Sequence, residues 1–227
     1  MAGPELTVVS YNVHSQRDDL RALGETVRAL APDVLFVQEA PRRLRWRARC
    51  AALARRCGMF VAVGGLPALG NLVLVDLRVR VRGTRCVRFP LTPGRHLRGA
   101  AVAECVVRGR PFVAAGTHLS LAAAERADQA RRLLAALADA DHPVILGGDL
   151  NEEPGGAAHA LLTARYADLA ARAGDPRPTF PAARPDRRID VLLADAAVGL
   201  TRYDVVDTPA SRRASDHLPV RATVTLP

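Results

Sequence analysis

Two oxygen-bearing side chains, Asp149 and Asn151, follow a short apolar segment of the chain. The segment Pro143–Gly148 begins with a run rich in β-branched residues, which predicts a buried strand, and its two glycines are expected to turn the backbone sharply and leave room for a close approach. Residues i and i+2 of an extended segment point to the same side. Both side chains could therefore face one small charged group, and a hard divalent cation or a metal-bound phosphate suits oxygen donors. The alternative is that one of the two caps a helix that starts near Glu152.

Polar side chains recur at or near the ends of six predicted strands. A histidine in a core strand is more often structural, and an aspartate near a turn is usually a cap, but independent accidents would not favour strand ends six times. The set offers carboxylates and amides for a hard metal, two histidines, and no nucleophilic Ser/His/Asp or Cys/His pattern. It favours metal-assisted hydrolysis of a phosphate ester. In chain order the residues are Asn12, Glu39, His118, Asp149 with Asn151, Asp190, and Asp216 with His217.

Alternating and apolar runs predict the strands that carry these residues, and helical spacing predicts the helices between them. The predicted strands are Leu6–Val13, Val34–Val37, Phe60–Val63, Asn71–Val75, Arg78–Val81, Ala100–Val107, Phe112–His118, Val144–Leu146, Arg188–Leu193 and Val220–Leu226. The predicted helices are Asp19–Leu30, Pro41–Cys57, Leu121–Leu137 and Ala157–Leu162, with a proline-rich loop at Asp175–Pro185.

Composition and charge limit the class of protein. The 227 residues are expected to form one domain, residues 1–227, and no apolar run is long enough to span a membrane. The start of the chain lacks a signal-peptide pattern, so a cytoplasmic location is the default expectation. The four cysteines show no C-x-x-C spacing and are expected to be reduced and mostly buried.

The formal net charge is +9, and every basic side chain apart from histidine is arginine. Codon bias can explain arginine in place of lysine, but it does not explain an excess of positive charge. A basic surface favours polyanions, and arginine suits phosphate. The arginines of the predicted helix Pro41–Cys57 are expected to form a solvated face, with Arg42, Arg43 and Arg45 outside the metal cleft and available to nucleic acid.

The ordered set of motifs resembles the endonuclease/exonuclease/phosphatase superfamily, which has the deoxyribonuclease I-like fold. The resemblance extends over nearly the whole chain. It implies a four-layer α/β/β/α sandwich of two packed mixed sheets flanked by helices, with the site in a cleft at the strand ends. The matching pieces are Tyr11-Asn12-Val13, Gln38-Glu39, Gly70-Asn71, Thr117-His118-Leu119, Gly148-Asp149-Leu150-Asn151, Arg188-Ile189-Asp190 and Ser215-Asp216-His217.

The resemblance also implies a role for each site residue. Glu39, Asp216 and Asn12 would hold Mg²⁺ or Mn²⁺. Asp149 and Asn151 would hold the attacking water and a phosphate oxygen. Asp190 would orient His217, and His118 would donate to the phosphate or the departing oxygen. Asn71 and Arg98 would contact the substrate. Whether Asp149 or His217 takes the proton from water stays open.

The resemblance narrows the substrate only in part. Abasic-site endonucleases of the superfamily carry a Tyr-Val-Pro-Asn-like stretch where this chain has Gly116–Leu119, which argues against that activity. His14 stands where several nucleases place an acidic or amide residue, which argues against a second metal contact at that position. The leading hypothesis is a metal-dependent phosphodiesterase, acting as a monomer on DNA or RNA. The alternatives are a phosphatase or phospholipase on inositol or lipid headgroups, and a catalytically silent protein that binds polyanions.

Overall fold

Two six-stranded sheets pack face to face in the computed structural model, which describes residues 3–227. The first sheet has the strand order β11-β12-β1-β2-β4-β3 and the second has the order β5-β6-β7-β8-β10-β9. The strands are β1 (Glu5–Asn12), β2 (Val34–Gln38), β3 (Phe60–Gly65), β4 (Asn71–Val75), β5 (Arg80–Arg88), β6 (Gly99–Val107), β7 (Arg110–His118), β8 (Val144–Asp149), β9 (Ala167–Asp168), β10 (Asp190–Ala194), β11 (Gly199–Val205) and β12 (Val220–Thr225).

Helices cover the outer face of each sheet, which gives the four-layer α/β/β/α sandwich that the resemblance implies. One apolar cluster lies between the sheets, a second lies between the first sheet and α1 and α2, and a third lies between the second sheet and α3 and α4. The helices are α1 (Leu20–Leu30), α2 (Trp46–Cys57), α3 (Ala123–Leu137), α4 (Ala157–Thr163), α5 (Leu169–Ala173) and α6 (Pro209–Ala214).

Each sheet contains one central pair of parallel strands, and the other pairings within it are antiparallel. In the first sheet β1 and β2 run together, with Asn12 opposite Gln38 at their carboxyl ends. In the second sheet β7 and β8 run together, with His118 opposite Asp149. Strand β10 runs the other way, so its first residue, Asp190, also lies opposite Asp149. The pairing register therefore brings residues from distant parts of the chain to one edge of the sandwich.

The two glycines before Asp149 do not turn the backbone, contrary to the sequence-based expectation. Both Gly147 and Gly148 lie inside β8, and neither has a positive φ. A Cβ on Gly147 would lie 2.3 Å from Cδ2 of Phe36, a residue of the facing sheet, and a Cβ on Gly148 would lie 2.7 Å from the carbonyl oxygen of Thr117. The group that packs closely against Gly147 is therefore the Phe36 ring and not a ligand. The ring fills the space between the sheets that a larger side chain at position 147 would occupy.

The largest error in the predicted elements concerns Pro41–Cys57, of which only Trp46–Cys57 is helical. Arg45 adopts a left-handed backbone with φ of 57°, which separates the arginines before it from α2. The sequence also places the strand at Arg78–Val81, whereas β5 runs over Arg80–Arg88. This strand lies at a sheet edge with exposed arginines and a register shift between Val81 and Gly83, so its alternation is irregular. Strands β9 and β11 and helices α5 and α6 were not predicted.

The other predicted elements agree with the structure to within a few residues. The cysteines are free, with Cys86 exposed and the other three buried, as expected. Within residues 3–227 no helix is both long and apolar enough to cross a membrane.

Substitution of Gly147 tests the close packing of the sheets. Gly147→Ala should lower the free energy of unfolding by about 1–3 kcal/mol, because the added methyl group overlaps the Phe36 ring. Gly116→Ala is the matched control, since its Cβ would lie 3.5 Å from the same ring, an ordinary contact distance. Urea unfolding compares the two variants. Equal stabilities would contradict the close approach at Gly147.

Candidate active site at the strand ends

The carboxylate of Asp149 is at the centre of the polar cluster and is only 1% exposed. Asn12 Nδ2, from the other sheet, donates to its Oδ2 at 2.9 Å, and the backbone N–H of Asn151 donates to its Oδ1 at 2.8 Å. Two imidazole nitrogens also face Oδ2, His118 Nε2 at 3.3 Å and His217 Nε2 at 3.8 Å. A buried carboxylate is stable only when it is paired and hydrogen-bonded, and donors from both sheets meet that need.

Neither Asp149 nor Asn151 caps a helix, so the capping alternative is wrong for this site. The next helix, α4, begins at Ala157, and Glu152 Oε2 accepts hydrogen bonds from the N–H groups of Ala158 and His159. Asn151 itself has a left-handed backbone with φ of 50°, and its Nδ2 donates to the Leu119 carbonyl at 3.0 Å. The side chains at positions 149 and 151 thus belong to the cluster.

His217 is held by a second buried carboxylate. Its Nδ1 lies 2.9 Å from Asp190 Oδ2, which also accepts a hydrogen bond from the Thr179 hydroxyl at 2.6 Å, and the Phe180 ring packs beside the imidazole at 4.6 Å between centroids. Burial acts to lower the pKa of His217, but the charge and hydrogen bond of Asp190, with Asp149 and Asp216 nearby, raise it to about 9. The imidazole is therefore protonated at neutral pH, with its Nε2–H directed toward Asp149.

His118 has the opposite electrostatic environment. Burial lowers its pKa to about 3, and the charge of Asp149 offsets this only in part. The ring is neutral, and its Nε2 lies 2.9 Å from Asn151 Nδ2, an amide nitrogen that donates. The same nitrogen lies 3.3 Å from Asp149 Oδ2. The expected role of His118 as a donor to a phosphate or departing oxygen stays a prediction.

Glu39 and Asp216 lie at the mouth of the cluster, where both line a cavity of about 540 Å³ together with His118. The Ser15 hydroxyl donates to Glu39 Oε2 at 2.8 Å, and His14 Nε2 lies 3.7 Å from Asp216 Oδ2. Sequence reasoning had no role for Ser15 and saw His14 only as a departure from the family pattern. The one feature of the sequence that could have indicated Ser15 and His14 is their position shortly after the strand that ends at Asn12.

The oxygen atoms at this mouth fit a hard divalent cation. Within residues 3–227 neither Glu39 nor Asp216 forms an ion pair with arginine, although several arginines line the same cavity. Asn12 Oδ1 accepts one hydrogen bond, from the His14 N–H at 3.0 Å, which leaves a lone pair. Two carboxylates and an amide oxygen are a donor set that Mg²⁺ or Mn²⁺ accepts, with water and substrate oxygens completing the coordination.

A second group of possible metal ligands consists of Asp149, Asp190 and His217, whose ligand atoms lie within 4.8 Å of one another. Their proximity has a simpler explanation, because His217 Nδ1 is already paired with Asp190 Oδ2. All three side chains are buried, and a protonated imidazole between two carboxylates offsets part of their negative charge. The exposed mouth is the better place for an ion that must also meet a substrate.

Two of the three arginines expected outside the cleft, Arg42 and Arg43, line it, whereas Arg45 does not. Arg42 and Arg43 line the same cavity as Glu39, along with Arg17, Arg49 and Arg98. Arg98 is 9% exposed, burial lowers its pKa, and its Nε has no hydrogen-bond partner among the described residues. The cavity is therefore strongly cationic on one side, where an anionic substrate would be attracted.

Asn71, the other expected substrate contact, lies beneath the cleft and not in its wall. The side chain is 1% exposed, and its Nδ2 donates to the carbonyl oxygens of Ala68 and Gly99, each at 2.9 Å. It therefore links the start of β4 to the start of β6, directly after Arg98. Its effect on a substrate would act through the position of that arginine.

A layered sandwich with this polar cluster at its strand ends defines a class of hydrolases that act on phosphate esters. The chain belongs to the Endonuclease/Exonuclease/phosphatase family, whose sequence model matches residues 9–217. Members of this family depend on divalent metals. A search of curated proteins found no match.

Solved structures show the same fold. An endonuclease/exonuclease/phosphatase from Beutenbergia cavernae DSM 12333 is 26% identical, with a TM-score of 0.76 over 98% of this chain and 72% of that one. D. rerio TDP2 complexed with single strand DNA product is 22% identical, with a TM-score of 0.78 over 97% and 98% of the two chains. A mannosyl-6-phosphatase from Bacteroides thetaiotaomicron VPI-5482 is 14% identical, with a TM-score of 0.81 over 96% and 99%. One relative holds DNA and another is a sugar phosphatase, so the family leaves the substrate open.

A buried ionic network supports the strand that carries Asp190. Arg188 Nη2 donates to Asp168 Oδ2 at 2.8 Å, and His159 Nε2 lies 3.1 Å from the same oxygen. Burial acts to raise the pKa of Asp168, but the hydrogen bonds from His159 and Arg188 outweigh it and lower the pKa from 3.8 to about 2. The ionised form of Asp168 is thus favoured in the folded protein.

The depressed pKa gives a stability prediction. The contribution of Asp168 is fully present above its unfolded pKa near 3.8 and is lost as the pH falls through about 2. It amounts to roughly 2 kcal/mol. Urea unfolding measures the free energy of unfolding at each pH. As the pH falls from about 4 to about 2, that free energy should decrease less in Asp168→Asn than in the wild type. At neutral pH the variant should be less stable than the wild type, because Arg188 is left unpaired. Asp128→Asn, at an exposed carboxylate, is the control. A wild-type pH dependence in Asp168→Asn would contradict the network's role.

Proposed function

We propose that this chain is a divalent-metal-dependent phosphodiesterase that acts on nucleic acid. The observation that carries the proposal is a cavity in which two carboxylates, Glu39 and Asp216, have no arginine partner although five arginines line the same walls. Carboxylates without an arginine partner suit a metal ion, and arginines without a carboxylate partner suit phosphate. The two sets together fit a metal-bound phosphodiester.

Glu39, Asp216 and Asn12 would hold Mg²⁺ or Mn²⁺ through oxygen atoms. When bound, the ion would supply Lewis-acid polarisation of a phosphoryl oxygen and neutralise developing charge. Glu39 has a left-handed backbone with φ of 57°, an unfavourable conformation for a non-glycine residue. Such conformations persist where the surrounding structure fixes them, and here it aims the carboxylate into the cleft beside Ser15.

Asp149 is the residue that would take the proton from water. His217 carries a proton on both nitrogens while its pKa is about 9, so it has no lone pair for that purpose. Asp149 Oδ2 faces the two imidazoles, and Asn12 and Asn151 fix the carboxylate from both sides. His217 would instead stabilise the negative charge that grows on the phosphate, oriented by Asp190. Arg98 would bind a non-bridging oxygen at the cavity wall.

Nucleic acid is the substrate that best suits the cationic wall, because it presents several phosphates in a row. A panel of plasmid, single strands, phospholipids and inositol phosphates, each with and without Mn²⁺, tests this choice. Hydrolysis of lipid or inositol phosphates alone would replace the nucleic-acid substrate with that headgroup. Binding of DNA that fades with salt but ignores EDTA, without hydrolysis, would mark a catalytically silent binder.

Loss of Glu39 tests the metal site. Glu39→Gln should reduce metal-dependent hydrolysis by more than the roughly 10–100-fold that outer-shell partners of a metal typically cost. The fold should survive, because the side chain is at the cleft surface. Mn²⁺ should raise the melting temperature of the wild type and not that of the variant, since ligand binding stabilises only the protein that binds it. Glu25→Gln, at a carboxylate on the outer side of α1, is the matched control. Full activity in Glu39→Gln would place the metal elsewhere.

Loss of Asp190 separates orientation of His217 from substrate binding. Asp190→Asn keeps the side-chain shape but removes the charge that holds the imidazolium, so kcat should fall by about 100-fold or more with little change in KM. Steady-state kinetics on a small chromogenic diester measures both constants. A change confined to KM would remove Asp190 from the catalytic arrangement.

A further inference from the structure

The arginines that line the cleft have no carboxylate partner among the described residues, a feature that they share with some arginines elsewhere, such as Arg108 and Arg110. Eleven arginines over residues 3–227 form ion pairs with carboxylates: Arg21, Arg78, Arg126, Arg132, Arg165, Arg177, Arg188, Arg202, Arg212, Arg213 and Arg221. Within the same residues, no arginine of the segment 42–49 forms one. The unpaired charge of this segment therefore lies beside the proposed metal site.

The strand order shows on which side of the cleft the positively charged residues lie. Along the first sheet, the loops at the active edge follow the order β12, β1, β2, β4 and β3, which leads from Asp216 past Glu39 to Arg42 and the turn between β3 and β4. Along the second sheet, the order β10, β8, β7, β6 and β5 leads from Asp149 to Arg98. Both sheets thus change from acidic to basic toward the edge formed by β3 and β5.

Two arginines of this edge are fixed in place by backbone carbonyls. Arg42 Nη1 donates to the Leu69 carbonyl at 3.1 Å, and Arg88 Nε, at the end of β5, donates to the Pro67 carbonyl at 3.1 Å. Gly70 leaves space for Arg42, because a Cβ there would lie 3.3 Å from Arg42 Cδ. The turn between β3 and β4 therefore holds a cation on each side, and neither cation has a carboxylate partner among the described residues.

The cleft continues into a second, shallower depression of about 490 Å³ on the same side. Arg42 and Arg43 line both cavities, and Arg45, Arg47 and Leu66 line only the second. We name the arginines at positions 42, 43, 45, 47 and 88 the basic track. It begins inside the catalytic cavity and leaves it in one direction.

We propose that the basic track binds the phosphates that flank the scissile phosphate, so that a single strand of nucleic acid leaves the cleft toward the β3 and β5 edge. This inference rests on the proposed function. A positively charged groove that follows the backbone is how proteins bind single strands without sequence preference. An anionic membrane fits less well, because several of these arginines line cavity walls that a bilayer surface does not enter.

The test compares two double variants that each remove two charges. Arg43→Gln/Arg45→Gln neutralises exposed residues of the track, and Arg108→Gln/Arg110→Gln neutralises exposed residues at the turn between β6 and β7. That turn lies at the opposite end of β7 from His118. Each pair also contains one residue with a left-handed backbone, Arg45 at φ of 57° and Arg108 at φ of 47°. The controls therefore match in charge, exposure and backbone.

The measured quantity is kcat/KM with Mn²⁺ on a thymidine oligonucleotide of roughly 12 nucleotides, divided by kcat/KM on bis(p-nitrophenyl) phosphate. Each lost phosphate contact reduces the salt slope for a single strand by about 0.7, so two contacts reduce it by about 1.4. Between 50 and 200 mM salt, the oligonucleotide-to-diester quotient of the wild type, divided by the same quotient of the variant, should therefore fall by about sevenfold. The track variant should show this change, and the control variant should not.

The other outcomes overturn the inference. Equal losses in both double variants would indicate a general effect of net charge, and no loss in either would mean that the track is only solvated. Loss of binding to phosphatidylserine vesicles with unchanged oligonucleotide cleavage would assign the face to a membrane. If the wild type hydrolyses neither substrate, the proposed function fails, and anisotropy of a labelled oligonucleotide still tests the track: equal affinities of the two variants would overturn it.

Discussion

The geometry of the active edge depends on the hydrogen bond from Asn12 Nδ2 to Asp149 Oδ2, which joins the two sheets there. An almost fully buried carboxylate needs donors, and the nearest strand of its own sheet supplies only part of them. The first sheet must therefore lie at a depth and register that brings Asn12 within reach. Phe36 sets that depth, because its ring occupies the space that Gly147 leaves open. The distance between the two sheets therefore also determines whether the Asp149 carboxylate receives its hydrogen bond from Asn12.

Backbone strain is concentrated in the same place. Non-glycine residues with positive φ include His14, Ser15, Glu39 and Asn151, all at the ends of the central strands. Each such residue costs of order 1 kcal/mol or more, which the packed strands behind it must offset. The left-handed backbone at these positions changes the direction of the side chains relative to an extended strand. The strands thus fix the position of the site residues, and the strained residues at their ends fix the orientation of the side chains.

The sequence predicted the strand ends well, because apolar β-branched runs and the polar residues after them are local patterns. It could not predict what the glycines at 147 and 148 are for, since the partner of Gly147, Phe36, is distant in the chain. It also misplaced the start of α2, because proline at position 41 is typical of a first helical turn while the left-handed backbone at Arg45 has no sequence signal. Edge strands such as β5 and β11 were missed or shifted for a related reason, as their exposed polar residues weaken the alternation.

The pairing of arginines carries information that composition does not. Codon bias acts on every arginine position alike and can explain why lysine is absent, but it cannot decide which arginines receive a carboxylate neighbour. Around the outside of the sandwich some arginines have such a neighbour, including exposed ones such as Arg212 with Asp207, and others, such as Arg108 and Arg110, have none among the described residues. Beside the cleft, Glu39 and Asp216 are close to arginines in space and still pair with none among the described residues. The carboxylates and the arginines of this cavity are therefore both available to a ligand. A phosphate chain with a bound metal ion carries negative and positive charge and can contact both sets.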